Sequence, residues 1–105
     1  MSYQITSSNE KGVKIATVNL SESLLLKDAS DIKFLMVQNL DKYQVFRVVL
    51  HDVENIDLGM VQLLYSFKWT AERKSKEVYF NFSLPDEHKL LLEHAGFLEL
   101  VNNNQ

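Results

Sequence analysis

The sequence predicts a single α/β domain built on a mixed sheet of four or five strands with about three helices. Near the start, turn-forming residues 8–12 precede a strictly alternating segment, residues 13–20, which is typical of an antiparallel hairpin. Further on, β-branched and aromatic runs at 45–50 and 78–82 alternate with segments of helical spacing. Such alternation indicates parallel strands joined by crossovers of one hand. The predicted order is β-β-(short β)-α-β-α-β-α.

The first hairpin joins residues 3–7 to residues 13–20. Two inward-facing sets fit the second strand. One contains Ile15 and Thr17, and the other contains Ala16, Val18 and Leu20. We favour the second set towards the end of the strand, and a bulge would reconcile the two.

A first helix follows the short apolar bridge 24–26, which is the short third strand of the predicted order. Asp28 has the side chain of an N-cap residue. One face of the helix carries apolar residues, with Phe34 and Val37 beside them, and the segment 39–42 ends the helix. The residues of the apolar face are Ile32, Leu35, Met36 and Leu40.

The central feature is a strand-to-helix hinge, residues 53–64. It follows the predicted strand 45–50, and apolar residues then recur at 60, 63, 64, 67 and 71, the spacing of one helix face. Asp57 is placed to cap this helix, which we expect to run to about Ser75.

A third helix is predicted after the strand 78–82, with Pro85 in its first turn and Gly96 as its stop. The domain then covers residues 1–101, followed by a polar tail at 102–105.

Bulk properties exclude several classes of protein. The 105 residues suffice for one domain, and a net charge of −3 gives no basic footprint for nucleic acid. The chain has no cysteine, so it has neither disulfides nor thiolate chemistry. Its first residues lack the order of a signal peptide, and no apolar run approaches the ~20 residues that span a bilayer. We therefore expect a cytoplasmic protein without membrane insertion.

The hinge residues resemble a known family. Ile56-Asp57-x-x-x-Val61-Gln62-Leu63-Leu64 is similar to the motif of the STAS domain, found in sulfate transporters and anti-sigma factor antagonists. The similarity is closest to the branch whose motif reads D-T-A-G-L-Q-L-L, which includes an accessory subunit of lipid-transport ABC complexes. The resemblance implies a STAS-like fold over nearly the whole chain and a regulatory protein that binds other proteins rather than an enzyme.

The resemblance also suggests partners. By family, they are a kinase-type ATPase domain, an anti-sigma factor or a chemotaxis-type signalling protein, or alternatively the ATPase of a lipid-transport ABC complex. In the signalling branch the hinge reads D-S-S-G and its second serine is phosphorylated. Those serines fall on Leu58 and Gly59, which have no hydroxyl, so we expect no phosphorylation there. Leu58 also replaces the threonine of the lipid-transport branch.

We predict that a partner docks on the hinge and on the outward face of the central helix. Large aromatic side chains and arginine concentrate binding energy at interfaces, and this face carries both. The alternative is that Trp69 packs under the hairpin or a loop of its own chain. The predicted docking surface consists of Asp57, Leu58, Gly59, Gln62, Tyr65, Ser66, Trp69 and Arg73.

No catalytic, cofactor or metal site is predicted. His88 and His94 are six positions apart, which puts them on different sides of a helix. The polar residues around the hinge, from His51 to Asp57, could hold a cation, but such loop clusters are more often solvated. The three glycines are too far apart to form a phosphate loop. The sequence leaves open a homodimer.

Overall fold

The computed structural model describes residues 1–84 together with Asp86, Glu87 and Leu90. Four strands, two longer helices and a short 3-10 helix at Leu26–Asp28 make up this part of the chain. The longer elements are β1 (Ser2–Glu10), β2 (Val13–Leu24), α1 (Ser30–Asn39), β3 (Val45–Ile56), α2 (Leu58–Arg73) and β4 (Glu77–Phe82). The predicted mixed α/β architecture with an N-terminal hairpin is confirmed.

The sheet has the order β1-β2-β3-β4. β1 and β2 are antiparallel and are joined by a two-residue turn, Lys11 and Gly12, both of which have positive φ (54° and 84°). Such a turn matches the twist of the flanking strands. β2, β3 and β4 are parallel, and their crossovers run in one direction along the sheet. Crossovers of one hand therefore place α1 and α2 on the same face.

The core lies between that face and the two helices. Residues in register across the parallel strands form three apolar rows, and every member is at most 4% exposed. The favoured inward set of β2 is thus confirmed. Ile15, on the other face, is also buried, but the pairing of β1 with β2 is continuous there and no bulge is needed. The rows are Ala16–Phe46–Val78, Val18–Val48–Phe80 and Leu20–Leu50–Phe82.

All four strands are longer than the sequence predicts: β1 includes residues 8–10 of the predicted turn, β2 and β3 continue past residues 20 and 50, and β4 begins one residue earlier. β2 and β3 both contain a residue with positive φ, Glu22 (71°) and Asp52 (49°), and their register shifts between Leu20 and Ser23. With these irregularities, both strands continue through polar residues that are typical of loops, 21–23 in β2 and 51–52 and 54–55 in β3. The separate bridge predicted at 24–26 is therefore wrong, because Leu24 ends β2 and the 3-10 helix follows.

The helix ends also differ from the prediction. Asp28 belongs to the 3-10 helix, and Ala29 is the N-cap of α1 without a side-chain cap. α2 ends at Arg73 rather than Ser75, whose φ of 62° breaks the helix. At the third predicted helix, Asp86, Glu87 and Leu90 are helical. Its predicted first turn at Pro85 and stop at Gly96, like the domain boundary at 101 and the tail 102–105, lie outside the described residues.

Candidate functional site

Asp57 fixes the hinge at the carboxyl end of β3. Its Oδ1 accepts a hydrogen bond from the Met60 backbone N–H at 2.9 Å, which caps α2 as predicted. The Leu26 N–H donates to both carboxylate oxygens at 3.2 Å. A negative side chain at this position also favours the positive end of the helix dipole, and a cap of this kind is worth about 1 kcal/mol. Asp57 therefore joins the end of β2 to the start of α2.

Gly59 is required by space and not by its backbone dihedral. A Cβ built on Gly59 would lie 2.7 Å from Leu26 Cδ2 and 2.9 Å from Leu26 Cβ. Among the described glycines only Gly12 has positive φ. Close packing against Leu26 therefore explains the glycine at position 59, and a positive φ does not. The Leu26 side chain thus lies directly on the first turn of α2.

The outward face of α2 is where the sequence places the docking surface. Gln62, Ser66, Trp69 and Arg73 are exposed, and Trp69 is 57% exposed in spite of its size. Trp69 is therefore not covered by the hairpin in this structure. The hinge residues Asp57, Leu58 and Gly59 are half-buried at the start of the same helix.

Tyr65 differs from the other members of this surface. It is half-buried and packs against the core, while its ring meets that of Trp69 edge-on at a centroid distance of 5.2 Å. On the other side, Arg73 Nε donates to the Trp69 carbonyl at 3.4 Å. Tyr65 therefore supports the indole from the core side, and Trp69 itself presents the accessible apolar area.

A groove that the sequence analysis does not predict runs between α1 and α2. It has a cavity volume of about 110 Å³ and is lined mainly by apolar side chains, among them Val37, Leu63 and Phe67. Ser66 also lines it, so this member of the predicted docking surface belongs to the groove side of α2. Val37, which lines the groove, is 60% exposed. Its position beside the apolar face of α1 is the feature of the sequence that points to this groove.

The sheet face opposite the helices carries paired polar groups. Arg47 lies 3.8 Å from Glu10, and the Tyr79 hydroxyl donates to Glu77 at 2.8 Å. That hydrogen bond and the negative charge of Glu77 raise the pKa of the Tyr79 phenol. Because these charged and polar groups partner one another across exposed surface, this face is a weaker docking candidate than α2.

The polar residues around the hinge do not form a metal centre. His51 Nδ1 pairs with Asp52 Oδ2 at 3.1 Å, and Asp57 is engaged by backbone N–H groups. Within residues 1–84 and the three described residues beyond them, no group of three or more acidic, histidine or cysteine side chains could hold a metal ion. The polar side chains from His51 to Asp57 are therefore not gathered into such a group.

Comparison with solved structures shows which fold this is. The chain superposes on the Bacillus cell-fate determinant SpoIIAA in its phosphorylated form with a TM-score of 0.68 and 11% identity, covering 91% of this chain and 85% of that one. SpoIIAA is an anti-sigma factor antagonist, one of the two groups that give the STAS domain its name. This chain has a STAS-like fold.

Two further structures agree with that assignment. The unphosphorylated form of SpoIIAA gives a TM-score of 0.67 at 11% identity, covering 85% of this chain and 80% of that chain. A DUF3478-family protein from Shewanella loihica with a SpoIIAA-like fold gives 0.57 at 10% identity, covering 90% and 77%. No family model and no curated protein matches the sequence. The STAS-like domain has no described helix of the length and apolar character needed to cross a membrane.

Proposed function

We propose that this STAS-like domain is a non-catalytic regulatory module that binds a larger signalling protein through the hinge and α2. One observation carries the proposal: Trp69 is 57% exposed on the outward face of a helix whose first turn is anchored at the hinge. Tryptophan is one of the side chains in which interfaces concentrate their binding energy. Gln62 and Arg73 flank Trp69 with exposed polar groups, the usual composition around a binding hot spot.

We propose the partner class by analogy with a protein of similar fold. SpoIIAA, which has such a fold, is an anti-sigma factor antagonist. By analogy, the partner of this chain is a kinase-type ATPase domain, an anti-sigma factor or a chemotaxis-type signalling protein in the bacterial cytoplasm. We propose no chemical step, cofactor or metal for this chain, because it would act only through the surface that it offers to its partner.

The same surface has no hinge phosphorylation switch. Residues 55–62 contain no serine, threonine or tyrosine, and the Asp57 carboxylate accepts hydrogen bonds from two backbone N–H groups. Phosphorylation adds roughly two negative charges and can switch an interface on or off. The hinge offers no hydroxyl to which a phosphoryl group could be attached. Docking is therefore independent of hinge phosphorylation in this proposal.

Incubation with a cognate kinase and ATP should leave the hinge unmodified. Mass spectrometry of the proteolytic fragments checks this, with Gly59→Ser as the matched variant, since it restores a hydroxyl at the position of the phosphorylated second serine. Stoichiometric phosphate within residues 55–62 of the unmodified sequence would contradict the prediction.

A second candidate function is supported by the last three residues of the hinge. Gln62-Leu63-Leu64 matches the lipid-transport branch, and here Gln62 is exposed while Leu64 is fully buried. In this alternative, α2 docks on the ATPase of an ABC complex that moves lipids. The surface is the same in both cases, so only the identity of the partner separates them.

Photo-crosslinking in cells of the source organism tests the proposal. A photoreactive amino acid is placed at Gln62 or Arg73, and at Arg47 as the control. Arg47 is also exposed, but it lies on the sheet face opposite the helices, whereas both test positions lie on α2. We expect adducts from α2 with a kinase-type ATPase, an anti-sigma factor or a chemotaxis-type protein. An ABC ATPase instead would establish the alternative.

A further inference from the structure

β1 presents a free hydrogen-bonding edge. Within the described part of the chain it pairs with β2 alone and ends the sheet. Eight of its nine residues are exposed, and only Ile5 is half-buried. Strands are usually about 5–6 residues long, so this is a long edge. Its outer backbone N–H and C=O groups can bond to another extended chain.

β1 also lacks the features by which proteins usually block such an edge. Lysine, proline, inward-pointing charges and bulges are the common devices. The segment 2–9 contains no charged residue and no proline. Its pairing with β2 is unbroken from Ser2 to Glu10, so no bulge bends it away.

The hairpin turn determines which groups point outward. Because the turn has two residues, Glu10 and Val13 on either side of it form a hydrogen-bonded pair. Even-numbered residues of β1 therefore bond to β2. The backbone groups of Tyr3, Ile5 and Ser7 point to the free edge, and their side chains lie on the helix side of the sheet, in register with Leu20, Val18 and Ala16.

We propose that two copies of this chain associate by antiparallel pairing of β1 with β1, centred on Ile5. A two-fold axis through the sheet sets Ile5 opposite Ile5 of the second copy and Tyr3 opposite Ser7, which forms one eight-stranded sheet. A second copy suits this edge because the edge is self-complementary. Residues 2–9, which form the paired segment, carry no charge that would repel the second copy, and pairing covers Ile5 together with Tyr3, which is 42% exposed.

Cysteine crosslinking tests this register, because the chain has no cysteine of its own. In a directly opposed hydrogen-bonded pair the Cα atoms are about 5.5 Å apart, within disulfide range. Ile5→Cys should therefore form a covalent dimer under mild oxidation. Ser8→Cys is the matched control, since two copies of Ser8 would be six positions out of register, roughly 20 Å apart. Mixing Tyr3→Cys with Ser7→Cys should crosslink the two variants even if Ile5→Cys folds poorly.

The molecular mass in solution is an independent test of the proposed dimer. Wild type should have twice the chain mass of 12.2 kDa by light scattering. Ser7→Pro should raise the dimer dissociation constant at least tenfold and leave the far-ultraviolet spectrum unchanged, because only an outward N–H is lost. Three results would overturn the proposal: a wild-type monomer at the highest soluble concentration, equal crosslinking at positions 5 and 8, or a dimer indifferent to Ser7→Pro.

Discussion

Replacing Gly59 with valine should lower the free energy of unfolding by about 2–3 kcal/mol, the cost of overpacking a closely packed contact. The added Cβ would meet Leu26 Cβ at 2.9 Å, and that atom cannot rotate away as the end of a side chain can. Displacing Leu26 also strains its N–H bonds to Asp57, which hold the 3-10 helix against α2. Chemical denaturation measures the effect as a lower midpoint.

A double-mutant cycle shows whether Leu26 is responsible. Gly59→Ala is combined with Leu26→Ala, which removes the Cδ2 and Cγ atoms at 2.7 and 3.2 Å but keeps the Cβ. We expect a favourable coupling energy of about 1 kcal/mol, since residues in contact are not additive. An unchanged midpoint for Gly59→Val would show that the glycine is not needed for packing.

Replacing Trp69 with serine should weaken partner binding by about 2 kcal/mol or more, roughly 30-fold in affinity. The indole is the largest exposed side chain on the outward face of α2, and Tyr65 holds it from the core side. Burial of such a supported aromatic is what usually provides binding energy at an interface. Calorimetric titration with the crosslinked partner measures the loss.

The same substitution should cost the fold only about 1 kcal/mol, mainly the edge-on contact with Tyr65, and thermal unfolding measures it. Removing a buried tryptophan side chain would lower the free energy of unfolding by about 3 kcal/mol or more. A large fall in melting temperature would therefore contradict the docking hypothesis. Phe34→Ser is the matched control, since it removes a 68% exposed aromatic from α1. Equal losses of binding for both variants would mean that the effect is not specific to α2.

Local patterns were sufficient for much of this fold. The alternation in β2 predicted the buried set Ala16, Val18 and Leu20, and Asp57 before a helical spacing predicted the cap that the structure shows. Both features depend on residues close in sequence. The outward position of Trp69 followed from the same helical period.

The errors occur where distant residues decide the structure. Asp52 and Glu22 look like loop residues, yet each takes a positive φ within a strand, and the β2–β3 pairing continues past them with a shifted register. Asp28 has a capping side chain, but the Asp57 carboxylate holds Leu26, 31 positions away, and places Asp28 in a 3-10 helix instead. The groove between α1 and α2 likewise requires knowledge of how the helices pack.

The crosslinking map of α2 tests the central claim most directly. If the outward face of α2 is the docking surface, the photoreactive residue at position 62 or 73 should give one dominant protein adduct. The residue at position 47, on the opposite face of the sheet, should give little of it, and Trp69→Ser should abolish the adduct at both α2 positions while the chain stays folded. Equal adducts at positions 47, 62 and 73, or an α2 adduct that persists in Trp69→Ser, would contradict the account.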